Sequence, residues 1–228
     1  MPTPAPCPIV TRESIWGLTA SPGIRAEQVP PLLCVPVGAS IPSRFFVWTQ
    51  DWTPRGQRWD VNSTPRRTDI ARSMLIRDAL SLGRDCWQWD SDVLGELSYE
   101  EMMGLISEDL KKGYDCVVAP TAGQNGKVLI VEEDGADTRT APFPIKGPLC
   151  GMWYMTLEGL QKLRPIAVHE GISGEGTPMY CTYSIHQRVA YSEDMDLAHR
   201  AREAGVRICA DPRLQVRHIA KMDAVVVA

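Results

Sequence analysis

The feature that most constrains this chain is an alternation. Short, mainly apolar runs at Leu32–Val37, Cys86–Trp89, Cys116–Ala119 and Arg207–Ala210 are separated by stretches with helical periodicity. Short apolar runs without polar alternation suit strands buried on both faces, and strands interleaved with amphipathic helices predict an α/β sheet with parallel strands. The intervening signals are specific. Thr68 precedes the stripe Ala71, Leu75, Ala79 and Leu82, with Gly83 as the stop. Ser98-Tyr-Glu-Glu101 has the spacing of a capping box, followed by Met102, Leu105, Ile106 and Leu110 on one face and Gly113 as terminator. Ser192 precedes a helix carrying Leu197, Ala198, Ala201 and Ala204, ended by Gly205. A shorter helix is expected over 156–164, halted by Pro165. Phe45–Thr49 and Val128–Val131 read as further strands; the second leads into a turn over 133–136, so the sheet is expected to be mixed.

A chain of 228 residues fits one domain of this class. The prolines at 2, 4, 6, 8, 22, 30 and 31 set off an extended arm over 1–31, the sheet domain runs over 32–219, and 220–228 is a tail. No apolar run is long enough to span a bilayer, and the start lacks the charged and apolar parts of a signal peptide. The seven cysteines show no C-x-x-C spacing, and several sit inside apolar runs. They read as reduced core residues, and the expected location is cytoplasmic. The net charge of −4 argues against a chain that coats nucleic acid. Between Arg44 and Arg84, however, eight arginines stand against four aspartates, which leaves a local basic face open.

Chemistry is suggested at several points. Asp90-Ser91-Asp92 follows the run Cys86–Trp89. If the strand continues, i and i+2 point to one side, so the two carboxylates converge on a cation such as Mg²⁺ or Mn²⁺ that also holds a diphosphate. The plainer reading is an Asp-rich turn. Pro36, Val37 and Gly38 sit at a strand exit where an open α/β sheet binds ligands. Arg72 lies near a helix start that favours anions. Lys146–Met152 carries two glycines, including Gly151, where a backbone could pass close to a ligand. The polar segment from His169 to Pro178 reads as a flexible binding loop or lid. Glu193 and Asp194 open the late helix, where acids also stabilise the dipole. His218 follows the last strand, read over Leu214–His218.

In this order, Ala71-Arg72, Trp89-Asp90-Ser91-Asp92, Ser192-Glu193-Asp194-Met195-Asp196 and Val216-Arg217-His218 resemble a GT-A-fold glycosyltransferase of the large inverting family that uses nucleotide sugars. The resemblance spans 32–219 and implies a Rossmann-like, mostly parallel sheet flanked by helices. It also implies a transferase of the hexosyltransferase type, with a nucleoside-diphosphate sugar, UDP-linked by preference, as donor and Mn²⁺ or Mg²⁺ as cofactor. Carried over by position, Asp90 and Asp92 form the D-x-D motif and His218 completes the metal ligands. Asp194 is the base, with Glu193 beside it, and Pro36, Val37, Gly38, Arg72, Asp90 and Gly151 line the donor. Ser73 departs from the Asn that often follows the Arg, and no Q-x-x-R-W motif follows Asp194, unlike processive synthases. The acceptor stays open among glycan, protein, small molecule and a hydroxylated base in DNA. The alternatives are a nucleotidyltransferase that makes nucleotide sugars and a non-catalytic carbohydrate- or nucleotide-binding module.

Overall fold

The structure is a computed structural model that describes residues 30–36, 42–54, 59–62, 68–121, 130–132, 141–170, 176–186 and 189–219. The chain runs β1 (Leu32–Pro36), α1 (Ser43–Trp52), β2 (Trp59–Asn62), α2 (Thr68–Leu82), β3 (Cys86–Trp89), β4 (Val93–Gly95) and α3 (Tyr99–Lys111). It continues through β5 (Cys116–Ala119), β6 (Val131–Glu132), β7 (Phe143–Gly147), β8 (Met152–Met155), α4 (Leu157–Lys162), β9 (Ala167–Glu170) and β10 (Gly176–Met179). The last elements are β11 (Ser184–His186), β12 (Val189–Tyr191), α5 (Glu193–Glu203), β13 (Ile208–Ala210) and β14 (Val216–His218).

Eight of the described strands form one sheet in the order β2-β1-β3-β8-β5-β13-β7-β6. β1 is parallel to β2 and β3, and β13 to β5, while β8 and β7 run against their neighbours. The expected mixed, mostly parallel α/β sheet is what the chain forms. The central strands, apolar except for the buried Gln88 of β3, follow from burial on both faces. Along β1, Leu32 and Cys34 join Leu75, Ile76, Trp153, Leu197 and Ala201 on the side covered by α2 and α5. Leu33 and Val35 join Phe45, Trp87, Trp89, Met102 and Ile106 on the side covered by α1 and α3. β7 alternates buried with half-buried positions.

The helix starts and stops follow the local chemistry. Ser98 accepts from the Glu101 N–H while the Glu101 carboxylate takes the Ser98 N–H, so the capping box opening α3 is complete. Gly83, at φ +62°, closes α2, and the Arg84 N–H reaches back to the Ala79 carbonyl at 3.0 Å.

Two elements differ from expectation. Phe45–Thr49 is not a strand but part of α1. Phe45 and Thr49, four apart, are buried, while Phe46 and Val47 face outward. Trp48 stacks on Trp52 with ring centroids 4.8 Å apart and packs on Trp89 at 4.9 Å. The face 45, 48, 49, 52 has helical spacing, and burial of large aromatic area against β3 overrides the strand preference of the individual residues. The polar segment 169–178, expected as a loop, is largely a hairpin. β9 and β10 pair antiparallel, Glu170 opposite Gly176 and His169 opposite Thr177, and only 171–175 lies outside the described residues. Backbone pairing needs no apolar side chains, so polarity alone did not reveal it. The strand expected over 128–131 is described only from Val131 onward, as β6, and the turn over 133–136 lies outside the described residues.

Candidate active site

β3 is the scaffold of the site. It runs antiparallel to β8, with Trp89 opposite Met152, and the Asp90 N–H extends the ladder by one bond to the Gly151 carbonyl at 2.7 Å. Beyond this point the chain turns. The Val93 N–H returns to the Asp90 carbonyl at 3.0 Å, so Asp90-Ser91-Asp92 is a turn into β4 rather than a continuing strand. The two carboxylates therefore do not share a side by strand alternation, as expected from spacing, and each has its own partners.

Asp90 faces inward. Its Oδ2 accepts the Gly151 N–H at 2.7 Å and its Oδ1 accepts Arg72 Nη2 at 2.9 Å. Arg72, only 3 % exposed, projects from the first turns of α2, donates through Nη1 to the Leu149 carbonyl at 3.3 Å, and holds Nε 3.6 Å from Glu193 Oε1. One guanidinium thus ties together α2, the turn after β3, the loop before β8 and the start of α5. Burial pushes the Asp90 carboxyl above its ordinary range, opposed by Arg72 and the Gly151 N–H. The Arg72 guanidinium is held charged by Asp90 and Glu193 against the cost of its burial.

Gly151 makes this approach feasible. Its φ is +69°, and a Cβ there would lie 2.3 Å from Thr121 Oγ1. Thr121 is itself buried and donates to the Ala119 carbonyl at the end of β5. A larger residue at 151 would collide with that threonine and take up a conformation L side chains rarely adopt. Cys150 stands next to it, its thiol pushed up to about 12 by burial and the nearby Asp90 and Asp194 carboxylates.

Asp92 faces the other way. Its Oδ2 lies 3.6 Å from His218 Nδ1, and its carbonyl accepts the Ile219 N–H at 2.7 Å. His218 is brought there by β14, which pairs antiparallel with β4 so that His218 stands opposite Val93. The Asp92 carboxylate raises the His218 pKa despite partial burial. A resident divalent ion can be tested against this donor set. A carboxylate oxygen and an imidazole nitrogen, both reachable from solvent, suit Mn²⁺ or Mg²⁺ if diphosphate oxygens and waters supply the remaining positions. Both Asp90 oxygens are already engaged, and among the described residues no group of three or more His, Cys, Asp or Glu is gathered for a metal. Of the three residues expected as ligands, Asp92 and His218 are the pair with donor atoms that could face an ion, while Asp90 steadies the turn.

At the start of α5 the side chain of Ser192 does not cap the helix; its hydroxyl donates to Asp194 Oδ1. The Met195 N–H donates to the same oxygen at 2.8 Å. Asp194 Oδ2 makes no hydrogen bond among the described residues. The Asp194 carbonyl accepts the Leu149 N–H at 3.2 Å, which joins the helix start to the loop carrying Cys150 and Gly151. Asp90, Asp92, Asp194, Glu193, Arg72 and His218 all lie at the carboxyl ends of β1, β3 and β5, the edge where open α/β sheets take ligands. Pro36 ends β1 at that edge, buried and level with Asp90 by the Cys34–Gln88 register, whereas Val37 and Gly38 lie outside the described residues.

The basic stretch is not a uniform solvated face. Arg72 is internal, Arg77 pairs with Asp78 at 2.7 Å, and Arg84 donates to the Pro30 and Pro31 carbonyls. Residues 55, 58, 66 and 67 lie outside the described residues. Sequence reading missed Thr121, Cys150 and Asp196. Asp196, fully buried, had one signal, its i, i+4 spacing to Arg200, which it meets at 2.8 Å.

No protein-family model matches this sequence, and no curated protein matches it. Among solved structures the chain is similar to the crystal structure of A197 from STIV, with a TM-score of 0.55 and 12 % identity over 85 % of this chain and 95 % of that one. It is also similar to the UTP-bound UGPase from Acinetobacter baumannii, with a TM-score of 0.46 and 10 % identity over 85 % and 90 % of the two chains. The first likeness is one of fold alone: a single α/β domain built on a mixed central sheet. No described helix is long and apolar enough to cross a membrane.

Proposed function

We propose that this chain transfers a sugar from a nucleoside-diphosphate sugar, UDP-linked by preference, to an acceptor hydroxyl, with Asp194 as base and inversion at the anomeric carbon. The observation that carries the reading is the state of Asp194. One oxygen is anchored by Ser192 and Met195 and the other is open, at the same sheet edge as the Asp-Ser-Asp turn. A carboxylate fixed on one side and open on the other is what proton transfer to a positioned base requires.

In the reaction the acceptor oxygen bonds to the anomeric carbon as the bond from that carbon to the diphosphate breaks. The acceptor proton passes to Asp194 Oδ2, and the electron pair of the broken bond leaves with the diphosphate. A divalent ion on Asp92 and His218, when bound, supplies Lewis-acid stabilisation of that leaving charge. Asp90 keeps the turn rigid through Arg72 and Gly151, while Glu193 holds Arg72 rather than the substrate.

The test needs no acceptor, because slow transfer to water reports the same base. UDP-glucose and other UDP-sugars are incubated with Mn²⁺, and UDP and free sugar are measured. Release by the wild-type chain, its loss in EDTA, and a fall of roughly a hundredfold or more in Asp194→Asn with UDP affinity retained are the expected results. Near-normal release by Asp194→Asn removes the base. Formation of UTP on adding pyrophosphate overturns the reading in favour of nucleotidyl transfer.

A further inference from the structure

The central strand β3 carries one side chain that the packing around it does not answer. Gln88 is fully buried, and neither its Oε1 nor its Nε2 makes a hydrogen bond among the described residues. Cys86 belongs to the core under α2 and α5 while Trp87 and Trp89 belong to the opposite one, so alternation puts Gln88 on the α2 side. Directly across the ladder between β3 and β8 stands Trp153, fully buried on that same side, and its Nε1 has no partner either. Side chains opposite one another in an antiparallel pair have Cβ atoms about 4.5–5.5 Å apart, so an amide and an indole share this place. On the other flank of Gln88, Cys34 directs its thiol to the Leu32 carbonyl at 3.5 Å. One step further along the same face lie Asp90 and Gly151, joined to each other at 2.7 Å and clamped by Arg72.

From this placement we infer that Gln88 and Trp153 together bind an internal water directly beneath the clamp of Arg72 and Asp90. A buried polar group left unpaired weakens folding by about tenfold or more, and here an amide and an indole N–H would each carry that cost. The neighbours fix the identity of the guest. The Trp153 indole and Gln88 Nε2 donate and Gln88 Oε1 accepts, so the guest must accept and donate at once. A cation would meet these donors and, one step away, the Arg72 guanidinium. An anion would leave Gln88 Oε1 unsatisfied. In a core of ordinary density, voids larger than a water are few. Water accepts from the indole N–H and from Nε2 and donates to Oε1, three bonds being the usual number for a buried water. Gln88 in an otherwise apolar strand is then a water ligand, and the water fills the layer between the clamp and the apolar pair Cys86 and Met155. The inference stands apart from the transferase reading, because it concerns the support under the clamp whatever the site binds.

The experiment uses the full chain, labelled with ¹⁵N at tryptophan, and NMR of the indole N–H groups, with the Trp153 signal assigned by its loss in Trp153→Phe. In the wild type this N–H should show a cross-peak to water whose sign differs between laboratory-frame and rotating-frame spectra, the mark of a long-lived water in contact rather than of proton exchange. Gln88→Met keeps the length of the side chain and removes the amide. There the cross-peak should vanish, and urea unfolding should give a folding equilibrium constant lowered about tenfold, because the Trp153 N–H loses the water that Gln88 held. A dry amide predicts the reverse, since removing unpaired groups from a core strengthens folding. An absent cross-peak in the wild type, one that persists in Gln88→Met, or a folding constant unchanged or raised in that variant each overturns the water site. If Gln88→Met does not fold, the wild-type spectrum decides alone.

Discussion

Two arginines in this molecule each gather carboxylates from separate elements, and they do so to different ends. Arg72, almost fully buried, is tied to Asp90, Glu193 and the Leu149 carbonyl. Arg213, with a side chain 34 % exposed, chelates Asp211 through Nε and Nη2 at 2.9 to 3.1 Å and reaches Glu108 at 2.8 Å and Asp109 at 3.3 Å. Around Arg213 every carboxylate meets a cation, Lys112 adding a second one to Asp109 at 3.0 Å; what is left over is the inward-facing Asp109 Oδ2, sealed from solvent, and the cluster docks the end of α3 onto the turn after β13. Around Arg72 the charges do not close. Asp92 and Asp194 stand at the rim, facing solvent or holding an open oxygen, above the edge at which open α/β sheets in general take ligands. A charge cluster with capacity left over is a better functional signal than one of equal size that satisfies itself.

The difference is broken most directly by removing each arginine. In Arg72→Met the Asp90 carboxylate keeps the Gly151 N–H but loses its cation in a buried setting, an effect of about 3–5 kcal/mol. Arg213→Met takes a partly exposed cation from the buried Asp211 and Asp109 carboxylates but leaves Lys112 on Asp109, and about 1–3 kcal/mol is expected. Urea unfolding of both variants checks this, and equal losses would remove the distinction between the two clusters.

How much of this was legible beforehand follows from the range of the interactions. β1, β3, β5, α2 and α3 are encoded by neighbours: mainly apolar runs for strands covered on both sides, a capping box, a stop at Gly83. α1 was not, because Phe45-Phe-Val-Trp is strand-like residue by residue and becomes helical only when Trp48 and Trp52 find Trp89 and Trp87. At the site, Asp90, Asp92, Asp194 and His218 were picked out by order along the chain. The clamp that separates Asp90 from Asp92 joins positions 72, 90, 151 and 193, and no spacing rule links residues so far apart. Asp196 was visible only as one more acid in a cluster; its role depends on Thr182 and Ser184 arriving from another hairpin.

A sharper probe of the Arg72 region is Gly151→Ala. The added Cβ meets Thr121 and the positive φ is strained, so a loss of about 1–3 kcal/mol is expected. In Gly151→Ala combined with Thr121→Ser the collision with the threonine methyl is relieved but the hydroxyl contact and the backbone strain stay, so most of the loss should persist. Thermal unfolding of the single and double variants measures it. Full recovery would mean that the backbone conformation carries no cost and that contact with the threonine methyl is the whole effect.

The smallest effect is one of pH, and it belongs to the Arg213 cluster. Asp109 is buried against Asp211, and its Oδ2 has no hydrogen-bond partner among the described residues. Burial and the facing Asp211 carboxyl push its pKa up to about 6, against the pull of Lys112. Because the folded value lies above the unfolded one, the native state binds the extra proton between them. The stabilisation from that proton is complete below about pH 4 and is lost as pH rises through about 6. Asn at 109 is neutral at every pH and cannot show this loss. Asp109→Asn should therefore gain on the wild type by on the order of 1 kcal/mol between pH 4 and 7, part of the titration being shared with Asp211. Denaturant midpoints for the two proteins across that range give the measurement. A constant difference would show that Asp109 titrates as an ordinary carboxylate, and the cluster around Arg213 would then close on its charges as completely at pH 7 as at pH 4.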